Sequence, residues 1–165
     1  MNIFYLHYNP RICAKWHVDR HVVKMILETC QLLCTAIWLC GGTAHCKPTH
    51  QNHPSAIWTR ANKENWIWLQ QLGIALCEEY TYRYEKVHVL EKVIRELCVP
   101  DLPDGDFYEP TPAMPNEYKC TNNSLMSYRN YYILGKCHLH FWKKRHAWKN
   151  RNIPSFIQKV CQYPF

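Results

Sequence analysis

Asp19-Arg20-His21-Val22-Val23-Lys24-Met25-Ile26-Leu27-Glu28-Thr29-Cys30-Gln31-Leu32-Leu33 is the stretch that decides the fold class. It contains no Pro or Gly, and the first adjacent glycines, Gly41-Gly42, supply its stop. With its flanks it predicts one helix from residue 12 to about 38. On a wheel of about 100° per residue with His17 at zero, Arg20, His21, Lys24, Glu28 and Gln31 fall within about 60° of it. Val23, Ile26, Leu27, Cys30, Leu33, Cys34 and Ile37 fall on the opposite side. The expected helix has an apolar back and one polar ridge.

Working outward, Thr43 to Pro54 is polar and His-rich, which predicts a loop. Pro54 opens a second helical stretch from about Ser55 to Leu97, with Gly73 as a break or bend. Five prolines between Pro100 and Pro115 exclude regular helix there. A last helix is expected from about Ser124 to Trp148, and the one plausible strand is Ile3 to Leu6. There is no internal repeat. The prediction is an all-α fold, a single compact helical domain over residues 1–165 with a Pro-rich loop.

Composition narrows the classes. Seven Trp, eleven Tyr and five Phe in 165 residues can bury a large apolar area, which excludes a low-complexity disordered chain. No apolar run is expected to reach the ~18–20 residues a bilayer helix needs. Met1 to His7 has neither a basic leader nor a long apolar segment, so no secretory signal is expected. The ten Cys are then read as mostly buried thiols in a reducing, intracellular compartment, with Cys30, Cys34, Cys77 and Cys137 inside apolar runs.

The charge of +7 is uneven: residues 118–165 hold nine Lys/Arg, including Arg129, Lys136, Lys143, Lys144 and Arg145, and no Asp or Glu. Tyr128, Tyr131, Tyr132, Phe141, Trp142 and Trp148 interleave them. Cations neutralise phosphates and aromatic faces stack on exposed bases, so this mixture predicts a nucleic-acid partner. A solvated basic helix face is the plainer account of the same residues.

Among carboxylates Glu28 stands out, one turn from Lys24 and near Gln31, His17 and His21. A carboxylate among cations can act as a base or stabilise a cationic transition state. An ordinary four-residue Lys–Glu pair would look the same and be worth a few tenths of a kcal/mol. Two sets offer metal ligands, Cys13/His17/His21 and Cys46/His50/His53, yet no Cys-x2-Cys or His-Glu-x2-His pattern is present. Glycine-rich phosphate loops and a Gly-x-Ser-x-Gly elbow are also lacking. His53-Pro54-Ser55 to Arg60 suits either an anion at a helix start or simple capping.

In order along the chain, the ridge helix Asp19 to Leu33, His53-Pro54-Ser55-Ala56-Ile57-Trp58, Cys77-Glu78-Glu79-Tyr80 to Arg83-Tyr84, and Tyr128-Arg129-Asn130-Tyr131-Tyr132 with Lys136 resemble the pyrimidine-dimer DNA glycosylase/AP lyase family, in its phage and large-virus branch. The resemblance implies an all-α domain that flips a damaged base from duplex DNA and attacks the sugar C1′ with its N-terminal α-amine, assisted by a helical Glu. Carried over, Glu28 matches that Glu and Met1 supplies the amine. His17, Arg20, Lys24 and Gln31 match ridge positions that approach DNA, and His21, His53, Arg60, Arg129, Lys136, Lys143, Lys144 and Arg145 complete the expected contacts. Position 2 is Asn where the family exposes a small residue, and Leu27 and Thr29 flank Glu28 where the family has an Arg. An α-amine with an ordinary pKa near ~7.7–8.0 is nucleophilic near neutral pH, and no cofactor or metal is required. The expectation is a monomeric DNA base-excision enzyme acting on a damaged or modified pyrimidine in double-stranded DNA, away from membranes. The alternative is a non-catalytic viral nucleic-acid-binding or structural protein that keeps the fold.

Overall fold

The computed structural model describes the backbone of residues 1–139, 141–142 and 145–161, and the side chains of 1–139 and 147–158. The fold is all-α. It comprises α1 (Pro10–Trp16), α2 (Asp19–Leu39), α3 (Pro54–Thr59), α4 (Lys63–Tyr84), α5 (Glu91–Glu96), α6 (Ser124–Asn130) and α7 (Ser155–Cys161). Phe141–Trp142 and Arg145–His146 form a two-residue antiparallel pair. The helices α2 and α4 pack as the central pair, with α1 and α5 on α4 and α3 against both.

The helix expected from residue 12 to 38 is two helices that turn at His17 and Val18. Asn9 starts α1 by accepting the Arg11 and Ile12 N–H groups, with Pro10 in the first turn. At its other end, Arg83 of α4, fully buried, donates to Lys15 O at 3.0 Å and His17 O at 2.9 Å. A guanidinium thus takes carbonyls that a continuing helix would use, and the Val18 N–H donates to the Tyr132 hydroxyl at 2.7 Å.

The buried arc of α2 is also rotated from the expected one. Ile26, Cys30, Leu33 and Cys34 are buried as predicted, but Val23 and Leu27 are 41% and 45% exposed. His21 and Glu28, placed on the ridge, are buried instead. The cause is residues 2–6, which lie along that ridge as extended, buried chain and not as a strand. Their backbone groups are paired by side chains: Cys13 donates to Phe4 O at 3.2 Å and accepts the Leu6 N–H at 3.4 Å, and Arg129 Nε donates to Leu6 O at 3.0 Å. Contrary to expectation, α2 is long and apolar enough to cross a membrane, with a mean hydropathy of 1.6, but 61% of that window is buried inside the protein.

The stretch from Ser55 to Leu97 divides into α3, α4 and α5. Asn62 caps α4 by accepting the Asn65 N–H at 2.8 Å, and Glu85, in the left-handed region at φ 55°, ends it. Gly73 does not break α4. It lets α4 approach closely: a Cβ there would sit 2.9 Å from Thr29 Cγ2 and 3.1 Å from Ile94 Cγ2. The Pro100–Pro115 loop lies along α3 and α4, where Trp58 Nε1 donates to Tyr108 O at 2.9 Å and Asn62 Nδ2 to Asp106 O at 3.0 Å. The last expected helix ends at Asn130, continuing as a π turn over Tyr131–Gly135 and a 3-10 turn over Cys137–Leu139. Cys137, expected in a buried run, is exposed.

Candidate active site

Glu28 sits on α2 at 8% exposure, and three positive or N–H groups converge on its carboxylate. The Asn2 backbone N–H donates to Oε2 at 2.8 Å, the Met1 α-amine lies 3.9 Å from the same oxygen, and Lys24 Nζ lies 3.2 Å from Oε1. Asn2 is held from the far side. Its Nδ2 donates to Ala113 O at 2.9 Å, and its Oδ1 accepts from the Tyr128 hydroxyl at 3.2 Å and the Ile3 N–H at 2.8 Å. The Asn at position 2 therefore fixes the first two residues against the helix.

His53 stands at the start of α3. It caps α3 by accepting the Ser55 N–H on Nδ1 at 3.2 Å, which leaves its proton on Nε2. Burial, then the positive N-terminus and His50, hold its pKa below the usual value, while Glu28 pulls the other way.

Of the other expected contact residues, some do not face outward. His17 is fully buried at the α1–α2 turn, with Nδ1 bonded to Cys13 O at 2.7 Å. His21 stacks on Phe4 with ring centroids 4.2 Å apart and shares a 2.9 Å hydrogen bond with the Tyr132 hydroxyl. Arg129 is spent inward, bonded to Leu6 O and lying 5.2 Å from the centroids of both the Trp16 and Phe156 rings. These three correct the expectation of a DNA-facing ridge and tail, because Phe4 and Tyr132 pack on the two His rings and Arg129 lies against Trp16 and Phe156.

Arg60 Nη1 donates to Gln51 O at 2.7 Å and so holds the loop before α3. Lys136 lies 4.9 Å from the centroid of the Tyr131 ring. Arg20 and Lys24 are exposed and Gln31 is half-buried on the outer face of α2. Lys143 and Lys144 lie outside the described residues, as does the side chain of Arg145. Met1, Lys24 and Glu28 are the expected residues that the fold brings together. Asn2, which holds the terminus in place, was missed, because nothing local in the sequence points it at Glu28.

His17 carries a consequence for acid stability. Its Nε2 is buried with no hydrogen-bond partner, so protonation there would create an unpaired buried charge, and burial pushes its pKa down to about 4 from 6.5. Between those values the unfolded chain binds a proton that the folded chain refuses, so stability falls as pH drops through that window. We expect a loss of up to about 3 kcal/mol between pH 6.5 and pH 4, read by urea unfolding across that range. His17→Phe should flatten this part of the profile; an unchanged slope would assign it to other groups.

Neither expected metal set assembles. The Cys13 thiol is paired with Phe4 and Leu6 backbone, and the His17 and His21 rings are 6.4 Å apart. His50 Nδ1 bonds Thr49 Oγ1 at 2.7 Å and His53 caps α3. A different set meets instead: Cys30, Cys34 and Cys46, whose sulfurs all lie within 4.8 Å of one another. Hydrogen bonding between the thiols raises the Cys30 pKa and lowers that of Cys34, so one proton of this pair leaves readily and the other is held. The four-residue spacing of Cys30 and Cys34 was visible in the sequence; the arrival of Cys46 was not.

Fold and site together define an all-α domain in which the N-terminal amine, the Asn2 N–H and Lys24 meet one buried carboxylate. No family model, curated protein or solved structure matches the chain.

Proposed function

We propose that this protein excises a damaged or modified pyrimidine from double-stranded DNA, as a glycosylase with an AP lyase step, using an N-terminal amine as nucleophile and Glu28 as its partner. The observation that carries the reading is the meeting of the Met1 amine and the Asn2 N–H with one buried carboxylate 26 residues away. A Lys24–Glu28 helix pair alone needs no chain terminus beside it. The geometry also serves if Met1 is removed, since the nitrogen that would then become the amine is already 2.8 Å from Oε2.

The chemistry balances without a cofactor. The lone pair of the neutral amine forms a bond to C1′ of a flipped nucleotide as the C1′–N bond breaks, and the base leaves with that electron pair and a proton. Glu28⁻ stabilises the positive charge that develops at C1′. Opening of the C1′–O4′ bond, with a proton taken up by O4′, gives an imine; loss of a C2′ proton then expels the 3′ phosphate, and water hydrolyses the imine to free the amine. His53, neutral at pH 7 because of its lowered pKa, is suited to carry the proton that the amine sheds. Outside the pair, Arg20 and Lys24 with the exposed Val23 and Leu27 offer cations and apolar area on one helix face, which suits phosphate and base contact. This role places the protein with DNA in a reducing, intracellular compartment.

The test is borohydride trapping on duplexes carrying an abasic site or a pyrimidine dimer, with the adduct mapped by intact mass and peptide analysis. An adduct on the α-amine is the expected result. No adduct and no base release, with salt-sensitive DNA binding intact, would overturn it in favour of a non-catalytic nucleic-acid-binding protein.

A further inference from the structure

Half a turn beyond Glu28 on α2, Cys30 begins a second chemical cluster, independent of the amine and its carboxylate. We propose that Cys30, Cys34 and Cys46 together bind one zinc ion. Zinc holds thiolate sulfur at about 2.3 Å in a tetrahedron, which sets neighbouring sulfurs about 3.8 Å apart. Here Cys30 Sγ lies 3.9 Å from Cys34 Sγ and 3.7 Å from Cys46 Sγ. The third pair is within 4.8 Å, so a small shift of the loop sulfur closes the set.

Packing alone explains why Cys30 and Cys34, one turn apart on a buried helix face, touch each other. It does not explain the third sulfur, which comes from a polar loop and is aimed inward by bonds on both sides. Trp38 Nε1 donates to Cys46 O at 3.0 Å, and three residues on, the Thr49 N–H donates to Thr35 Oγ1 at 3.2 Å. Cys46 is therefore presented to α2 by backbone that α2 itself holds. Among the described residues this is the one group of three such ligands. All-sulfur donors favour a soft or borderline ion over magnesium or calcium. Three protein ligands would leave a fourth position of a tetrahedral ion open. The bound ion would stitch the loop between α2 and α3 to α2.

The experiment uses the full chain, reduced and freed of metal by chelation, then titrated with Co²⁺ and afterwards with Zn²⁺. One equivalent of Co²⁺ should give the intense visible bands of a tetrahedral site with thiolate-to-cobalt charge transfer, and one equivalent of Zn²⁺ should abolish them. Cys46→Ser lies on the half-buried loop, so its helical circular dichroism should be unchanged while affinity falls by at least ~100-fold. Cys98→Ser, at an exposed thiol, should leave the titration as in the parent chain. Weak octahedral spectra, sub-stoichiometric binding, or a Cys46→Ser titration equal to the parent would each overturn the proposal. So would intact-mass data from protein alkylated without prior reduction showing two of the three sulfurs joined as a disulfide. Cys30→Ala repeats the test from the helix side.

Discussion

If the protein is the proposed glycosylase, Glu28→Gln should suppress covalent trapping and base release while the protein stays folded. The substitution keeps the size of the side chain, and the amide oxygen can still accept the Asn2 N–H that now reaches Oε2 at 2.8 Å. What disappears is the negative charge beside the Met1 amine and the ability to exchange protons. The Lys24 pair lost with it is largely exposed on the Lys24 side and is worth a few tenths of a kcal/mol. A positioned acid–base group contributes roughly 10²–10⁴-fold, so the rate of base release should fall by about that factor with duplex affinity almost unchanged. Single-turnover kinetics on a lesion duplex, with equilibrium binding measured in parallel, separate the two. A rate within tenfold of the parent would make Glu28 an anchor for the chain terminus, and the glycosylase reading would fall with it.

The limits of the sequence reading have particular physical causes. The existence of α2 was legible because fifteen residues without Gly or Pro carry enough Leu, Ile, Val and Met to leave little choice. Its phase was not, because a wheel assumes one buried face, and here residues 2–6 cover the polar ridge as well. Chain of this kind leaves no ladder pattern to read, since side chains meet its backbone groups, Cys13 from close by and Glu28 and Arg129 from far along the chain. The break at His17 depends on Arg83, 66 residues away. Charge arithmetic misread part of the basic C-terminal segment for a similar reason. Arg151 is bound by Glu79, and Arg129 lies against Trp16 and Phe156 and donates to Leu6 O. Glu28 was legible as a carboxylate among cations, but its most informative neighbour, the chain's own first peptide, could be supplied only by resemblance.

Glu79→Ala should cost about 3 kcal/mol, and the reason lies in how the same network shapes the site. Glu79 is buried, and its carboxylate accepts from Arg83 Nε at 2.8 Å, Arg151 Nε at 2.9 Å and Arg151 Nη2 at 2.9 Å. Removing it leaves Arg83 wholly buried with only Asp19, at 2.9 Å, as a charge partner. Breaking a buried pair costs ~3–5 kcal/mol, and the surviving Asp19 contact argues for the low end. For a chain of this size that is a fall in Tm of about 6–12 °C. The effect should reach the α1–α2 turn, because Arg83 is what holds Lys15 O and His17 O there.

Acid unfolding gives a second reading of the same residue. Burial alone would raise the Glu79 pKa, but the hydrogen bonds and charges of Arg151 and Arg83 outweigh it and hold it below the usual carboxylate value. A depressed carboxyl stabilises the fold above its unfolded pKa and loses that contribution as pH falls toward its folded one. The parent should therefore lose stability in two stages on acidification, first through the His17 window from pH 6.5 to pH 4 and then, overlapping its lower end, as Glu79 protonates. Glu79→Ala should erase the lower stage and leave the upper one, with His17→Phe doing the reverse. A Glu79→Ala protein that melts within 2 °C of the parent and keeps both stages would mean that Arg83 is neutralised by Asp19 alone, and that the turn presenting α2 to the N-terminal segment stands without Glu79.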